Sequence, residues 1–177
     1  MNPSLDQEEA HGVATDLTDL HEDEAAAREL RLLSQSQRLL GGVGVFAVPM
    51  TNRLAVHQAI VESGVPYASL QCLITALPGL NEREVIKVLG ISDRTLRRQR
   101  ETPMKPMPAP LASKTWLFAE TLAKASEVFG SQEKAEEWLN KPAMGLNDQR
   151  PIELLQTVQG TELVTDFLTR LEYGVYS

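Results

Sequence analysis

Four arginines fall within the nine residues Asp93-Arg94-Thr95-Leu96-Arg97-Arg98-Gln99-Arg100-Glu101. Arginine at this density suits recognition of nucleic acid. Its planar fork donates two hydrogen bonds to guanine O6 and N7, a pairing that discriminates between bases by about 1–3 kcal/mol. If Leu96 turns inward on a helix, Arg94 and Arg98 lie on the opposite side, and Thr95 and Arg97 point to the flanks. Arg94 and Arg98 are therefore the candidate base readers. Arg97, Arg100 and Lys105 are placed for phosphates, contacts that give salt-dependent affinity without sequence information. Ser92, Asp93 and Thr95 complete the candidate DNA-binding set of Ser92, Asp93, Arg94, Thr95, Arg97, Arg98 and Arg100.

The elements that would position these side chains are well marked. Asn81-Glu82-Arg83-Glu84-Val85-Ile86-Lys87-Val88-Leu89 begins with a capping residue and places acids in its first turn, where they complement the helix dipole. Gly90 can take the left-handed conformation at the end of that helix, Ile91 can fill the angle between two helices, and Ser92 caps the second. A solvated, merely soluble helix is the plain reading of an arginine-rich stretch. The capped helix, the Gly-Ile-Ser turn and the basic second helix together predict a helix-turn-helix over 81–101.

The net charge of −7 is not evenly spread. Residues 1–30 hold nine acids and one base, residues 31–119 five acids and eleven bases, and residues 120–177 ten acids and five bases. A basic centre between acidic ends fits a DNA-binding middle whose flanks serve another purpose.

Other chemistries find little footing. His11, His21 and His57 show no metal-ligand spacing, and no nucleophile stands in a recognisable motif, so neither a catalytic centre nor a metal site nor a cofactor is expected. The glycines of Gly41-Gly42-Val43-Gly44 lack the Lys-Ser/Thr ending of a phosphate loop and read as a helix-stopping turn. Cys72, the only cysteine, sits among Leu70, Leu73 and Ile74 and reads as a small buried residue. No apolar run is long enough to span a membrane and the amino terminus is acidic rather than signal-like, so a cytoplasmic protein is expected.

The fold class that follows is all-α. Residues 1–24 carry many carboxylates and few large apolar groups and are expected to form an acidic, mobile tail. A helical region over 25–102 should contain a helix at Ala25–Leu40 with Ala26, Leu30 and Leu33 inward, an ambiguous apolar run at Val43–Val48, a helix over Asn52–Glu62 with Leu54, Ile60 and Val61 apolar, and another over Tyr67–Leu77. Four prolines between Thr102 and Pro110 predict a semi-rigid extended linker at 103–110. Beyond it, over 111–177, the spacing predicts helices at Leu111–Phe129, at Gln132–Asn140 with Ala135, Trp138 and Leu139 inward, from Pro151 through Val158, and, after a break at Gly160, at Thr161–Tyr173 burying Leu163, Val164, Phe167, Leu168 and Leu171.

The run Val128-Phe129-Gly130-Ser131-Gln132-Glu133-Lys134-Ala135-Glu136-Glu137-Trp138-Leu139-Asn140-Lys141-Pro142 resembles the signature of the toxin-binding domain of Xre/MbcA/ParS antitoxins. Leu146, Arg150-Pro151-Ile152-Glu153-Leu154-Leu155, Thr157, Gly160 and Arg170-Leu171-Glu172-Tyr173-Gly174 continue that pattern. Gly64-Val65-Pro66, Leu89-Gly90-Ile91-Ser92 and Arg94-Thr95-Leu96 are similar to its DNA-binding half. The resemblance covers residues 54–177 and departs at Ala112-Ser113-Lys114-Thr115-Trp116, where family members often carry a Glu-Ser pair and arginines.

The resemblance implies an antitoxin of a RES-Xre system: a helix-turn-helix DNA-binding domain followed by a small helical toxin-binding domain, itself not an enzyme. The partners implied are a RES-type toxin that degrades NAD or transfers its ADP-ribosyl group, and operator DNA bound by a homodimer that represses its own operon. The toxin-binding residues implied are Arg170, Glu172, Tyr173, Gly174, Val175, Tyr176 and Ser177, which would occlude the toxin's active site. A terminal carboxylate beside Tyr173 and Tyr176 would also offer anionic and aromatic groups to a cationic nucleotide cleft, although without the resemblance a frayed terminus is the plainer reading. The rival reading is a stand-alone helix-turn-helix transcription regulator whose final domain binds a ligand or oligomerises.

Overall fold

In the computed structural model, which describes residues 5–46 and 49–174 with side chains from Glu22 onward, the helices are α1 (Leu5–Leu39), α2 (Arg53–Gln58), α3 (Tyr67–Thr75), α4 (Glu82–Leu89), α5 (Asp93–Gln99), α6 (Ala109–Phe129), α7 (Gln132–Asn140), α8 (Pro151–Leu154) and α9 (Val158–Glu172). Short 3-10 turns lie at Gly42–Gly44 and Met144–Leu146, and α2 runs on into a wide π turn, Ala59–Ser63. The fold is all-α as expected. Among the described residues strand-like pairing is confined to two isolated bridges, Pro66 with Pro106 and Ala143 with Gln149.

Helix α6 is the axis, packing against α1, α7 and α9. Its small residues explain this role: Ala112, Ala119, Ala123 and Ala125 are fully buried beside Trp116, Phe118 and Leu122, so neighbouring helices approach closely. Buried hydroxyls on the same helix are satisfied locally, with Thr115, Thr121 and Ser126 each donating to the carbonyl four residues back at 2.8 Å. Leu33, Leu70, Leu73, Leu122, Leu139 and Leu168 belong to one continuous core that spans both sides of the proline segment.

Several local expectations change. Helix α1 runs from Leu5, so residues 5–24, expected as a mobile tail, are helical. No proline falls between Leu5 and Leu39, and acids near a helix amino terminus complement its dipole. Leu33 is buried, whereas Leu30 and Ala26 face solvent. The apolar run after Gly42 forms a 3-10 turn that ends in a buried Phe46, whose ring lies 6.3 Å from that of Trp116; Ala47 and Val48 lie outside the described residues. Over α2 and the π turn the inward residues are Val56 and Ala59, while Leu54 and Val61 are exposed. The wide π turn, which inserts an extra residue into the helical period, accounts for the offset at Val61. Cys72 is half-buried rather than enclosed.

The proline segment is a strap laid on the start of α3. Tyr67 N–H donates to Lys105 O at 3.0 Å, Ala68 N–H to Pro103 O at 2.7 Å and Met107 N–H to Val65 O at 2.8 Å, and Met107 is buried. Trp138 is half-buried, its ring stacked on Phe167 at 6.1 Å and tilted against Phe129 at 5.1 Å.

The break between the last two helices lies at Leu155–Thr157, and Gly160, expected to separate them, sits inside α9. Thr157 caps α9 by accepting from Gly160 N–H at 3.0 Å. Gly160 is required for closeness, because a Cβ there would stand 2.0 Å from the carbonyl oxygen of Leu154. The inward face of α9 is Val164 and Leu168, both fully buried, with Phe167 and Leu171 half-buried and Leu163 exposed. Gly160→Ala is expected to force α8 and α9 apart and to destabilise the fold by about 1–3 kcal/mol, the usual cost of overpacking, read as an earlier urea midpoint. An unchanged midpoint would show that the crossing is loose.

Candidate functional site

Helices α4 and α5 stand on either side of the turn Gly90–Ser92. Asn81 Oδ1 accepts from Arg83 N–H at 2.9 Å, and Val85, Ile86, Val88 and Leu89 are buried, so α4 is anchored along one face. At its end Gly90 takes φ 72°, its N–H donates to Lys87 O at 3.1 Å, and Ile91 N–H reaches Ile86 O at 3.2 Å. This is the paired closure in which a left-handed residue satisfies the last helical carbonyls. Ser92 then caps α5, its Oγ accepting from Thr95 N–H at 3.1 Å and lying 2.9 Å from the Thr95 hydroxyl.

On α5 Leu96 faces the core, as its spacing predicted, and Gln99 joins it there. Arg94, Arg97 and Arg98 are exposed and make no ion pair or side-chain hydrogen bond among the described residues. Arg100 differs, since its Nη2 lies 3.1 Å from Glu82 Oε1. Asp93 is exposed in the first turn and Lys105 is exposed on the strap. The three arginines of α5 thus project from a rigid two-helix corner cationic forks that are unpartnered among the described residues, and only Arg100, which caps the helix, is paired.

At the other end of the chain the last turn of α9 carries Arg170, Glu172 and Tyr173, and Gly174, at φ 66°, ends it. Arg170 is exposed and lies 5.8 Å from the ring centre of Phe167. Tyr173 is 68% exposed and so offers most of its ring to a partner. Glu172 forms an ion pair with Arg28 of α1. Val175, Tyr176 and Ser177 lie outside the described residues.

Helices α1, α6 and α9 border an open groove of about 1200 Å³ beside Tyr173. Lys124 lies in it and donates to Thr169 Oγ1. Burial holds its ammonium below the ordinary lysine range, and the nearby Arg28 adds to the effect. Arg53 reaches Glu120 at 2.7 Å and Glu29 at 3.1 Å, and the Glu120 hydrogen bond raises its pKa.

The basic corner and the final helices are joined by a polar contact that the sequence did not signal as such. Buried Glu136 of α7 accepts from Gly79 N–H at 2.6 Å and from Gln132 Nε2 at 2.7 Å, and Gln132 also donates to Ala76 O. Asn140 Nδ2 donates to Gly79 O at 3.0 Å. Arg150 reaches Glu84 of α4 at 2.8 Å and the Asn140 carbonyl at 3.0 Å. Gln132, Glu136 and Asn140 stand in the run that carries the family resemblance, and Arg150 in the segment that continues it. Here they face the Pro78–Gly79 turn and α4. Glu133, one residue along, is exposed at the start of α7, where backbone and Ser131 hydrogen bonds keep its carboxyl below the usual range.

These features define an all-helical protein with a basic helical corner and an acidic, aromatic carboxy-terminal end braced against one another. Residues 124–174 match the family model of the antitoxin Xre/MbcA/ParS C-terminal toxin-binding domain, so the resemblance to Xre/MbcA/ParS antitoxins read from the sequence is borne out. The chain is 33% identical over 95 residues to the antitoxin Xre of Yersinia enterocolitica, covering 53% of this chain and 64% of that one. It is 32% identical over 104 residues to the antitoxin Xre of Pseudomonas putida, covering 56% and 65%. With that of Photorhabdus laumondii it shares 25% over 120 residues, covering 67% and 80%. The chain therefore spans just under two thirds of the length of the first two relatives. Among the described residues no helix is long and apolar enough to cross a membrane, and no group of three His, Cys, Asp or Glu residues is arranged for a metal ion.

Glu136→Ala would leave the Gly79 N–H unpaired in a closed contact. The expected loss is about 1–3 kcal/mol, seen as a fall in melting temperature, while Lys134→Ala on the exposed side of α7 should leave the melting temperature within a degree or two.

Proposed function

We propose that this chain is an antitoxin that binds and neutralises a RES-type toxin acting on NAD, by inserting the end of α9 and the residues after it into the toxin's active site. The observation that carries the reading is the match of residues 124–174 to a toxin-binding domain, which places the exposed Tyr173 at the end of that domain. An acidic domain associates quickly with a cleft that is basic because it holds nucleotide phosphates. The chain itself is a non-enzymatic regulator.

The α4–α5 corner supports a second part of the same reading. Arg94 and Arg98 read bases in the operator of the chain's own operon, Arg97 contacts phosphate, and Ser92, Asp93 and Thr95 set the helix end. Arg100, tied to Glu82, reaches phosphate only by exchanging that partner. Two copies would present two such helices about 34 Å apart to successive major grooves, so a homodimer within a larger cytoplasmic toxin–antitoxin complex is expected. The basic corner, the strap and the final helices correspond in this reading to a DNA-binding region, a linker and a toxin-binding region.

Co-expression with the product of the neighbouring reading frame tests the first part. The two should co-elute, and NAD loss caused by the neighbour should stop. Deleting Tyr173 to Ser177 is expected to abolish neutralisation while operator binding persists; a truncated chain that still rescues cells would refute the assignment. For the second part, Arg94→Ala with Arg98→Ala should weaken binding to the operon's own promoter at least tenfold more than to random DNA, in line with the loss of one to two base-reading pairs at about 1–3 kcal/mol each. Equal losses on both DNAs would reduce these arginines to phosphate contacts.

A further inference from the structure

The end of α9 is held by a residue far outside the segment that matches the toxin-binding family. Arg28 is the single base among the first 30 residues, and it lies on α1, a helix to which the sequence reading assigned no role. Its guanidinium pairs with Glu172, its Nη1 lies 3.5 Å from the Tyr173 hydroxyl, and its Cζ lies 5.8 Å from the Tyr173 ring centre. One guanidinium therefore engages two consecutive side chains by charge, by hydrogen bond and by the ring face. The pair is sheltered without being enclosed, with Arg28 at 34% and Glu172 at 18% side-chain exposure.

The position matters because Tyr173 is the last residue before the left-handed Gly174. Helix ends fray, and a tyrosine there would otherwise sample several rotamers. Glu172 at a helix carboxy terminus also carries the unfavourable sign for the dipole, and Arg28 offsets it. Lys124 holds Thr169 one turn earlier from α6, so α9 is fixed from two sides at its final turn. Most of the Tyr173 ring remains exposed and is presented, already oriented, to a partner.

We infer that Arg28 is a positioning residue for toxin recognition, so that α1 and α9 together form the surface met by a protein partner with a cleft for an aromatic ring and an anionic group. The inference rests on the reading that the end of α9 faces the toxin. Arg28 acts by fixing Tyr173 and Glu172 in the orientation that binds, which removes an ordering cost from association.

The test measures, by calorimetry on full-length chain, the affinity for the neighbouring frame's protein product made inactive by substitution. Arg28→Ala is expected to weaken binding about tenfold, and Arg28→Lys, which keeps the charge but loses the planar fork, to recover part of the loss. In a Glu172→Gln, Tyr173→Leu background the same Arg28→Ala change should have no further effect. Arg28→Gln, which keeps most of the stem, serves if Arg28→Ala does not fold, and melting curves on each variant separate affinity from stability. Unchanged affinity in Arg28→Ala or Arg28→Gln would overturn the inference and leave the proposed function standing. An equal loss in both backgrounds would also overturn it, because Arg28 would then act independently of Tyr173 and Glu172. Failure of the unaltered chain to bind would instead remove the reading on which the inference rests.

Discussion

Glu136 is buried to 3% exposure, and a carboxylate removed from water is tolerated only when donors meet its oxygens. Both oxygens are met, one by the Gly79 N–H and the other by Gln132. A Cβ on residue 79 would stand 2.6 Å from the same carboxylate, so a larger residue there would have to displace the Glu136 side chain from this contact. The contact thus selects residue types on two segments separated by 57 positions, and it seats the turn that leads directly into α4. Apolar packing alone would let the α4–α5 corner slide on α7, because burial has no direction. The carboxylate, the Asn140 amide on the Gly79 carbonyl and the Arg150–Glu84 pair supply the direction.

This joint changes what the motif means. Gln132, Glu136 and Asn140 stand in a run that resembles a toxin-binding signature, and Arg150 in its continuation, yet their side chains are spent on holding the basic corner. Arg170 and Tyr173, at the carboxy-terminal end, are exposed instead. A motif read from sequence therefore includes residues whose side chains hold other elements of the fold, and only their hydrogen-bond partners reveal it. A partner bound at α9 and a nucleic acid bound at α5 would meet one connected body, because α4 touches α6 and α8 directly.

The sequence made local features legible where the signal was itself local. Asn81, Gly90, Ser92 and the inward Leu96 were read correctly because caps, left-handed glycine and helical period act within a turn or two. Reading failed where the decisive partner lay far along the chain. Gly160 looked like a helix break because glycine is a poor helix former, and only the Leu154 carbonyl pressed against it explains its place inside α9. Leu30, Leu54 and Leu163 fitted apolar stripes but face solvent, since period fixes which residues share a face and not which face is covered. Of the site residues, the exposure of Arg94, Arg97 and Arg98 followed from the pattern, while the Glu82 partner of Arg100 and the Arg28 partner of Tyr173 did not.

The arginines divide into two populations, those paired with carboxylates and those left open. Arg28 pairs with Glu172, Arg150 with Glu84, and Arg53 with Glu29 and Glu120, whereas Arg170 at the end of α9 makes no ion pair among the described residues. In the basic centre acids are fewer than bases, and over Asp93–Arg100 only Arg100 finds one among the described residues. A cation left unpaired on a protein surface costs little there and keeps its full capacity for an external anion. The lopsided charge therefore bears directly on α5: with bases in excess over residues 31–119, guanidinium groups stay available on that helix.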